Sequence, residues 1–221
     1  MTSFAEPDII ACPHCEQRYL RHVLRSLNFN WQRTYSDGAT YGILSNIMVR
    51  ESCCTSCGNI IKNIPDLPRL GTKTAPSRWQ RWFTTPQTYE YIPAATFAVY
   101  LALFNHAADI DEKRNWAIKA LRLFNINHKL DENKPAPEAE QQSAYLNIAD
   151  FILDNPDTAH VDEYALNCAD IHRLRGDFSL AKQVYDTVTD KEFAYIVEQG
   201  KGWCDDKNTR LMLTLTPEPD D

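Results

Sequence analysis

The 221-residue sequence predicts an α+β protein, with a small β module followed by an all-α lobe of helical hairpins. Cysteine pairs and turn signals cluster in residues 1–70, whereas residues 94–215 carry repeated apolar stripes at helical spacing. The charge divides in a similar place. Residues 1–92 hold 10 Lys+Arg and 7 Asp+Glu, or +3, and residues 93–221 hold 13 and 23, or −10. This asymmetry favours two modules with different surfaces.

The cysteines of the N-terminal module form two Cys-x-x-Cys pairs at metal-ligand spacing. Cys12 and Cys15 make the first pair, and Cys54 and Cys57 make the second. Each pair curls two thiolates onto one ion, and two pairs complete a closed tetrahedral cage of four sulfurs, as in structural zinc sites. Iron accepts the same ligands, but nothing else in the sequence indicates electron transfer. We therefore predict one structural Zn²⁺.

Cys53 leaves the identity of one ligand open. Cys53 and Cys57 are spaced C-x-x-x-C, whereas Cys54 and Cys57 have the knuckle spacing and precede Gly58, which readily takes the positive φ of a knuckle turn. The sequence therefore favours Cys54 over Cys53. His14 lies between the first two ligands, and its ring is expected to point outward.

Short strands and turns around the cysteines predict a zinc ribbon in residues 1–70. A stretch that starts at Arg18 is broken by Ser36-Asp37-Gly38, in which Asp-Gly is a strong tight-turn signal. Residues 43–49 lead into the second knuckle, and residues 60–64 form the last strand. A module of this size buries too little surface to fold alone, so metal binding is expected to supply its folding free energy.

Residues 71–93 are predicted to be a linker, because the stretch is rich in proline and shows little periodicity. Partial helix is expected at 77–83, with Trp79 and Trp82 docking onto one of the modules. At the other end of the chain, the acidic residues 216–221 are expected to be a disordered tail.

The lobe at 94–215 is predicted from its apolar periodicity. The expected helices span 94–108, 112–124, 138–153, 162–175, 178–188, 191–199 and 206–214. The first is apolar almost all round and is expected to be a central buried helix. Asp111 is the expected N-cap of the second helix, and residues 125–137 are expected to form a mobile loop.

Small and aromatic residues at 162–188 follow a repeat pattern. The small residues allow two antiparallel helices to approach closely, a glycine makes the turn, and two aromatics fill the seam. These residues are Ala165, Ala169, Gly176, Phe178, Ala181 and Tyr185. The pattern resembles a tetratricopeptide repeat, although His172 stands where that family has an aromatic and no proline follows. One repeat matches well, which favours a degenerate array of helical hairpins over a regular superhelix.

The whole order of segments resembles uncharacterised bacterial proteins that join an N-terminal zinc ribbon to tetratricopeptide-like helices. The resemblance rests on both cysteine knuckles, on Tyr35-Ser36-Asp37-Gly38 and on the 162–188 hairpin. It implies a fold and no known reaction.

The motifs that usually mark an enzyme are missing from the sequence. The six histidines are scattered, and no glycine-rich phosphate loop, hydrolase motif or metallopeptidase motif is present. Cys204 is followed by two aspartates, which oppose thiolate formation. We therefore predict a non-enzymatic protein. The first residues lack a basic stretch and a long apolar segment, so a cytoplasmic protein with reduced thiols is expected.

The prediction for function is an interaction or scaffold protein whose helical lobe binds a protein or peptide, with a basic partner favoured. Asn167, Asp170 and Arg173 fall at i, i+3 and i+6 and would line a peptide groove, although a solvated helix face explains them equally well. The alternative is a nucleic-acid-binding zinc ribbon, because arginines and aromatics alternate between residues 18 and 35. A charge of +3 is small for this role, and the acidic lobe would repel phosphate.

Overall fold

The computed structural model describes residues 3–26, 33–37, 40–41, 49–72, 89–130, 133, 135–212 and 214. The chain divides into two compact units, which we call the N-terminal unit (Met1–Gln32 and Gly42–Val99) and the helical unit (Arg33–Tyr41 and Tyr100–Asp221). The expected linker helix at 77–83, with Trp79 and Trp82, and the acidic tail lie outside the described residues. So does most of the segment 43–49.

The N-terminal unit is built from short antiparallel strands. They are β1 (Ser3–Phe4), β2 (Asp8–Ala11), β3 (Arg18–Arg21), β4 (Leu24–Ser26), β7 (Ser52–Cys53), β8 (Ile60–Ile61) and β9 (Gly71–Thr72). The sheets are β3-β2-β9, β1-β4 and β7-β8. The predicted strand at 60–64 is shorter than expected, because a 3-10 turn follows at Ile64–Asp66.

Arg21 on β3 fixes the position of this 3-10 turn. Its guanidinium donates hydrogen bonds to the carbonyls of Ile64 and Pro65, both at 2.8 Å, and to the Asp8 carboxylate at 2.9 Å. The core beside it is small and apolar, and it includes two of the cysteines. Its buried members are Ile10, Cys12, Tyr19, Val49, Cys54, Ile61, Ile64 and Ile92.

Six α-helices lie within the described residues. They are α1 (Phe97–His106), α2 (Ile110–His128), α3 (Ala139–Asp154), α4 (Val161–Arg175), α5 (Phe178–Tyr185) and α6 (Ala194–Asp205). The helix expected at 206–214 is wrong, because the described residues after Asp206 and Lys207 run without helical structure. The helix α2 continues four residues past its expected end at Phe124, so the loop before α3 is shorter than predicted.

Two details of the first helices differ from the sequence expectation. The helix α1 is not central, because it buries Val99, Leu103 and Phe104 while Ala98 and its last residues are exposed. The N-cap of α2 is Asp109 rather than Asp111. Its carboxylate accepts hydrogen bonds from the backbone amides of Asp111 and Glu112, each at 2.9 Å.

The helices α4 and α5 form the antiparallel hairpin expected from the small-residue pattern. Ala169, Ala181 and Tyr185 are buried along the seam. Gly176 ends α4 at a φ of 90°, a left-handed conformation that favours glycine. The helix α6 packs against α5, and Gly200 lies directly against the Tyr185 ring, where a Cβ would come within 2.3 Å of Tyr185 Cζ.

A short hairpin from the N-terminal half of the chain belongs to the helical unit. The strands β5 (Arg33–Thr34) and β6 (Thr40–Tyr41) pair antiparallel, as the Asp-Gly turn signal predicts. The structure groups this hairpin with the helices, whereas the sequence assigned it to the zinc ribbon. The extended C-terminal segment pairs with it: Ser36 N donates to Met212 O at 2.7 Å, and Thr214 N donates to Thr34 O at 2.8 Å.

Candidate metal centre

The first cysteine pair lies in a tight turn between β2 and β3. Cys12 closes the turn at both ends, because its amide donates to Gln17 O at 2.8 Å and its carbonyl accepts from Glu16 N at 2.9 Å. Glu16 takes a φ of 62°, which is uncommon for a residue with a side chain. This left-handed residue directly after Cys15 turns the chain back into β3 and holds both cysteines on one side.

The second pair repeats this geometry between β7 and β8. The Cys54 amide donates to Asn59 O at 2.9 Å, and its carbonyl accepts from Gly58 N at 2.9 Å. Gly58 has a φ of 73°, as predicted, and occupies the position that Glu16 has in the first turn. Two separate segments therefore form the same knuckle, each with one buried cysteine, Cys12 or Cys54, and one exposed cysteine, Cys15 or Cys57.

The four sulfurs converge to the size of a metal-thiolate tetrahedron. All four Sγ atoms lie within 4.8 Å of one another. The distance is 3.9 Å between Cys12 Sγ and Cys57 Sγ and 3.6 Å between Cys15 Sγ and Cys54 Sγ. A regular tetrahedron with metal–sulfur bonds of roughly 2.3 Å has edges of about 3.8 Å. The residues therefore fit a four-cysteine metal site of the kind that binds zinc.

Polar groups outside the four cysteines contact the sulfurs. The Tyr19 hydroxyl lies 3.1 Å from Cys54 Sγ and 3.0 Å from Thr55 Oγ1, and it accepts a hydrogen bond from Thr55 N at 2.9 Å. The His14 amide lies 3.5 Å from Cys12 Sγ. Such outer contacts orient ligands and tune a metal centre. No local pattern in the sequence indicates this role of Tyr19, which lies 35 residues from Cys54.

The pKa values of two cysteines move in opposite directions. Burial opposes ionisation of Cys54, but the hydrogen bonds from Tyr19 and from the amides of Cys57 and Ser56 outweigh it and lower the pKa to about 6. At Cys15 the Gln17 amide favours the thiolate, yet desolvation and the neighbouring sulfurs raise the pKa to about 12. Crowded thiols resist losing all their protons without a cation, and a bound divalent ion reverses this.

Cys53 and His14 are neighbours of the four cysteines in the sequence, but neither belongs to the cluster. Cys53 Sγ donates to the Gly58 carbonyl at 3.1 Å and is not part of the group of four sulfurs, which includes Cys54 instead. The side chain of His14 is exposed and also lies outside the group. None of the seven cysteines forms a disulfide.

Of the three residues expected to line a peptide groove, two are buried and the third is half-buried. Asp170 is 1% exposed and Arg173 is 0% exposed, so neither offers a surface to a partner. Asn167 is half-buried, and its amide donates to Glu163 O of its own helix at 2.9 Å. The polar spacing at 167, 170 and 173 therefore does not describe an open groove.

Asp170 and Arg173 instead anchor the β5–β6 hairpin. Arg173 donates to Asp170 Oδ1 from Nε at 2.9 Å and from Nη2 at 2.6 Å. The same Nη2 donates to Ser36 Oγ at 2.8 Å, and Ser36 donates in turn to Asp170 Oδ2 at 3.3 Å. Nη1 donates to the carbonyls of Asn208 and Arg210. One buried ion pair thus joins α4, the hairpin and the C-terminal segment.

Burial and pairing act against each other in this ion pair. Desolvation raises the pKa of Asp170, although the Arg173 guanidinium opposes this. Burial works against the charge of Arg173, but Asp170 outweighs it and raises the pKa of Arg173. The guanidinium stays charged, and its stability in the interior depends on the aspartate.

Comparisons of the chain with known protein families, with curated proteins and with solved structures found no match. The structure contains the cysteine cluster and the helices expected from the resemblance to zinc-ribbon proteins, whereas membership of that family stays a prediction. A tetratricopeptide arrangement of those helices stays a prediction. Within the part of the chain that the structure describes, every helix is too short or too polar to cross a membrane.

Proposed function

We propose that this protein is a non-enzymatic zinc-binding protein, in which one structural Zn²⁺ holds the N-terminal unit together and the helical unit binds a protein partner. The main support for this proposal is that four Sγ atoms, from two knuckles of the same geometry, all lie within 4.8 Å of one another. Four thiolates fill the tetrahedron of a zinc ion and leave no open position for a substrate, which favours a structural role over a catalytic one.

The position of the ligands supports this structural role. Cys12 and Cys54 are each 1% exposed and belong to the apolar core of the N-terminal unit, next to Ile10, Ile61 and Ile64. This core is small, and the ligands come from two distant segments of the chain. A metal ion that joins them would supply folding free energy that the apolar contacts alone do not.

A protein partner is favoured by the charge of the helical unit. Residues 33–41 and 100–221 contain 14 Lys+Arg and 24 Asp+Glu, a formal charge of −10, while the N-terminal unit contains 9 and 6, or +3. A surface with this excess of carboxylates attracts basic partners and repels phosphate. We therefore propose a basic protein or peptide as partner, bound on an exposed face and not at the buried Asp170 and Arg173.

Nucleic-acid binding is a second candidate because of one feature of the N-terminal unit. The rings of His22 and Tyr91 stack with a centroid distance of 4.1 Å, and the Phe4 ring lies tilted against His22 with a centroid distance of 5.6 Å. Phe4 is 40% exposed and Tyr91 is 47% exposed, so bases could stack there. Burial lowers the pKa of His22, so its ring adds no charge near neutral pH. Zinc with four thiolates contributes a formal −2, which would leave about +1 for the whole unit. The charge therefore favours the protein partner.

Two measurements test the proposal. Removing the metal with a chelator should unfold the N-terminal unit, with loss of its dispersed amide resonances, while most of the far-ultraviolet helical signal stays. An N-terminal unit that keeps its spectrum without metal would contradict the structural role. The zinc-loaded protein should bind basic peptides in a salt-sensitive manner. Sub-micromolar binding of single-stranded DNA or RNA at physiological salt would instead establish the second candidate.

A further inference from the structure

A cleft of about 370 Å³ opens in the helical unit where the ends of two helices meet α3. Lys129 at the end of α2, Tyr145 on α3 and Arg175 at the end of α4 line it. Its volume lies in the range of sites for small ligands. The cleft has no part in the zinc centre, and nothing in the proposed function uses it.

Two buried hydrogen-bond donors of this cleft have no acceptor. Tyr145 is 1% exposed, and its hydroxyl has no hydrogen-bond partner among the described residues. The same holds for Nε of Arg175. Buried polar groups are nearly always hydrogen-bonded, because an unpaired donor costs free energy. The Tyr145 hydroxyl and Arg175 Nε can therefore donate to an acceptor that enters the cleft.

Lys129 adds a half-buried positive charge to the cleft. Its ammonium donates to Leu174 O at 3.0 Å and lies 5.6 Å from the centre of the Tyr145 ring. A lysine has three N–H donors, so this bond leaves two for a ligand. Burial lowers the pKa of Lys129, and the nearby Arg173 and Arg175 lower it further, although Asp170 opposes this. A bound anion would offset all of these effects.

The other groups of the cleft select among anions. Asp150 accepts from Arg175 Nη1 at 2.8 Å, and Leu146 O accepts from Nη2 at 3.1 Å, so the guanidinium fork is already occupied. The fork is what binds phosphate in a bidentate manner. Lys129, Arg175 and Asp150 together carry a formal charge of about +1, which one carboxylate balances. Leucine side chains on the same walls suit an aliphatic chain.

We propose that this cleft binds a small monocarboxylate with a short aliphatic chain. The carboxylate accepts hydrogen bonds from the Lys129 ammonium and the Tyr145 hydroxyl, and Arg175 contributes positive charge. Because Tyr145 has almost no exposed surface, the Lys129 side chain, which lies over its ring, shifts as the ligand reaches the hydroxyl. The proposal does not depend on the zinc site or on a protein partner.

The test uses the zinc-loaded full chain and two probes of equal shape, butyrate and butyramide, in chemical-shift titrations at constant ionic strength. Butyrate should bind at least about tenfold more tightly than its neutral amide, because hydrogen bonds to a charged group are the stronger ones. The variants Lys129→Met and Tyr145→Phe should each weaken butyrate binding about tenfold. Lys201→Met, which changes a lysine on α6 outside the cleft, should leave it unchanged.

Several results would overturn the proposal. Equal affinity for butyrate and butyramide would show that the charge of the ligand does not contribute to binding. Tighter binding of inorganic phosphate than of butyrate would exclude a carboxylate site. Tyr145→Phe removes a hydroxyl that has no partner in the described structure, so it should melt at the wild-type temperature. A large drop in its melting temperature would show that the hydroxyl is structural, which contradicts the proposal. Wild-type affinity in this variant would do the same.

Discussion

Replacing Asp170 by asparagine tests the buried ion pair that anchors the β5–β6 hairpin in the helical unit. Asparagine keeps the size of the side chain but removes the charge opposite Arg173, which is 0% exposed. The guanidinium then loses its two charge-assisted bonds to Asp170, now 2.9 Å and 2.6 Å long. Breaking a buried pair on one side costs about 3–5 kcal/mol. Because the amide oxygen still accepts a hydrogen bond, we expect the lower value, about 3 kcal/mol.

Urea unfolding of the zinc-loaded protein, followed by far-ultraviolet circular dichroism, measures this loss. The matched control is Asp186→Asn, which removes an exposed carboxylate that pairs with Lys201 on the surface. Surface pairs contribute little, so the control should lose less than about 1 kcal/mol. If Asp170→Asn unfolds within about 1 kcal/mol of the wild type, the ion pair does not stabilise the helical unit as we argue.

Two further predictions concern the helical unit. Gly200→Ala should lower the free energy of unfolding by about 3 kcal/mol in denaturant titrations, because its Cβ would lie 2.3 Å from Cζ of the buried Tyr185. Gly202→Ala on the same helix meets nothing within 4 Å and should be stabilising by up to about 1 kcal/mol, so equal losses would refute the packing argument. Burial lowers the pKa of His172, although Asp177 opposes this, so the unfolded chain binds the proton more tightly. The contribution of His172 to the free energy of unfolding is therefore fully present above about pH 6.5 and is lost as the pH falls below that value. His172→Gln should lose less stability than the wild type on acidification, and identical profiles for the two proteins would contradict this.

The cluster of four cysteines was predictable because its signal is local. Each Cys-x-x-Cys pair lies within one turn, and the residue that follows it takes a left-handed conformation at Gly58 and at Glu16. Gly58 could be recognised from its residue type. Glu16 could not, because its conformation is imposed by the repeated geometry of the knuckle and not by an intrinsic preference.

Most of the helices were predictable to within about four residues at each end, since apolar periodicity reports the buried face. The helix expected at 191–199 is an exception, because α6 starts at Ala194 and continues through Gly200 to Asp205. Their ends depend on contacts that the pattern does not contain. The helix α2 continues to His128, and Lys129 O accepts a hydrogen bond from Leu211 N of the C-terminal segment. The segment 206–214 has a pattern that suits a helix, but its backbone groups bond instead to the hairpin at Thr34 and Ser36.

The buried ion pair could not be predicted from the sequence. Asp170 and Arg173 have the spacing of a solvated helix face, and only their partners show that they are interior. The closest of these partners in the hairpin, Ser36, lies 134 residues from Asp170 along the chain. From the sequence, Ser36 and Asp37 were expected in the zinc ribbon, and Asp170 and Arg173 were expected to line a peptide groove. The contacts of these residues in the structure agree with neither expectation.

The most direct test of the zinc site is elemental analysis of the purified protein beside Cys53→Ser and Cys54→Ser, two neighbouring substitutions of the same kind. Cys54 Sγ belongs to the group of four sulfurs, whereas Cys53 Sγ is bonded to the Gly58 carbonyl. We predict about one zinc per chain in the wild type and in Cys53→Ser, and loss of tightly bound zinc in Cys54→Ser. A wild-type protein without bound metal, or a Cys54→Ser variant that keeps its full zinc, would contradict the account.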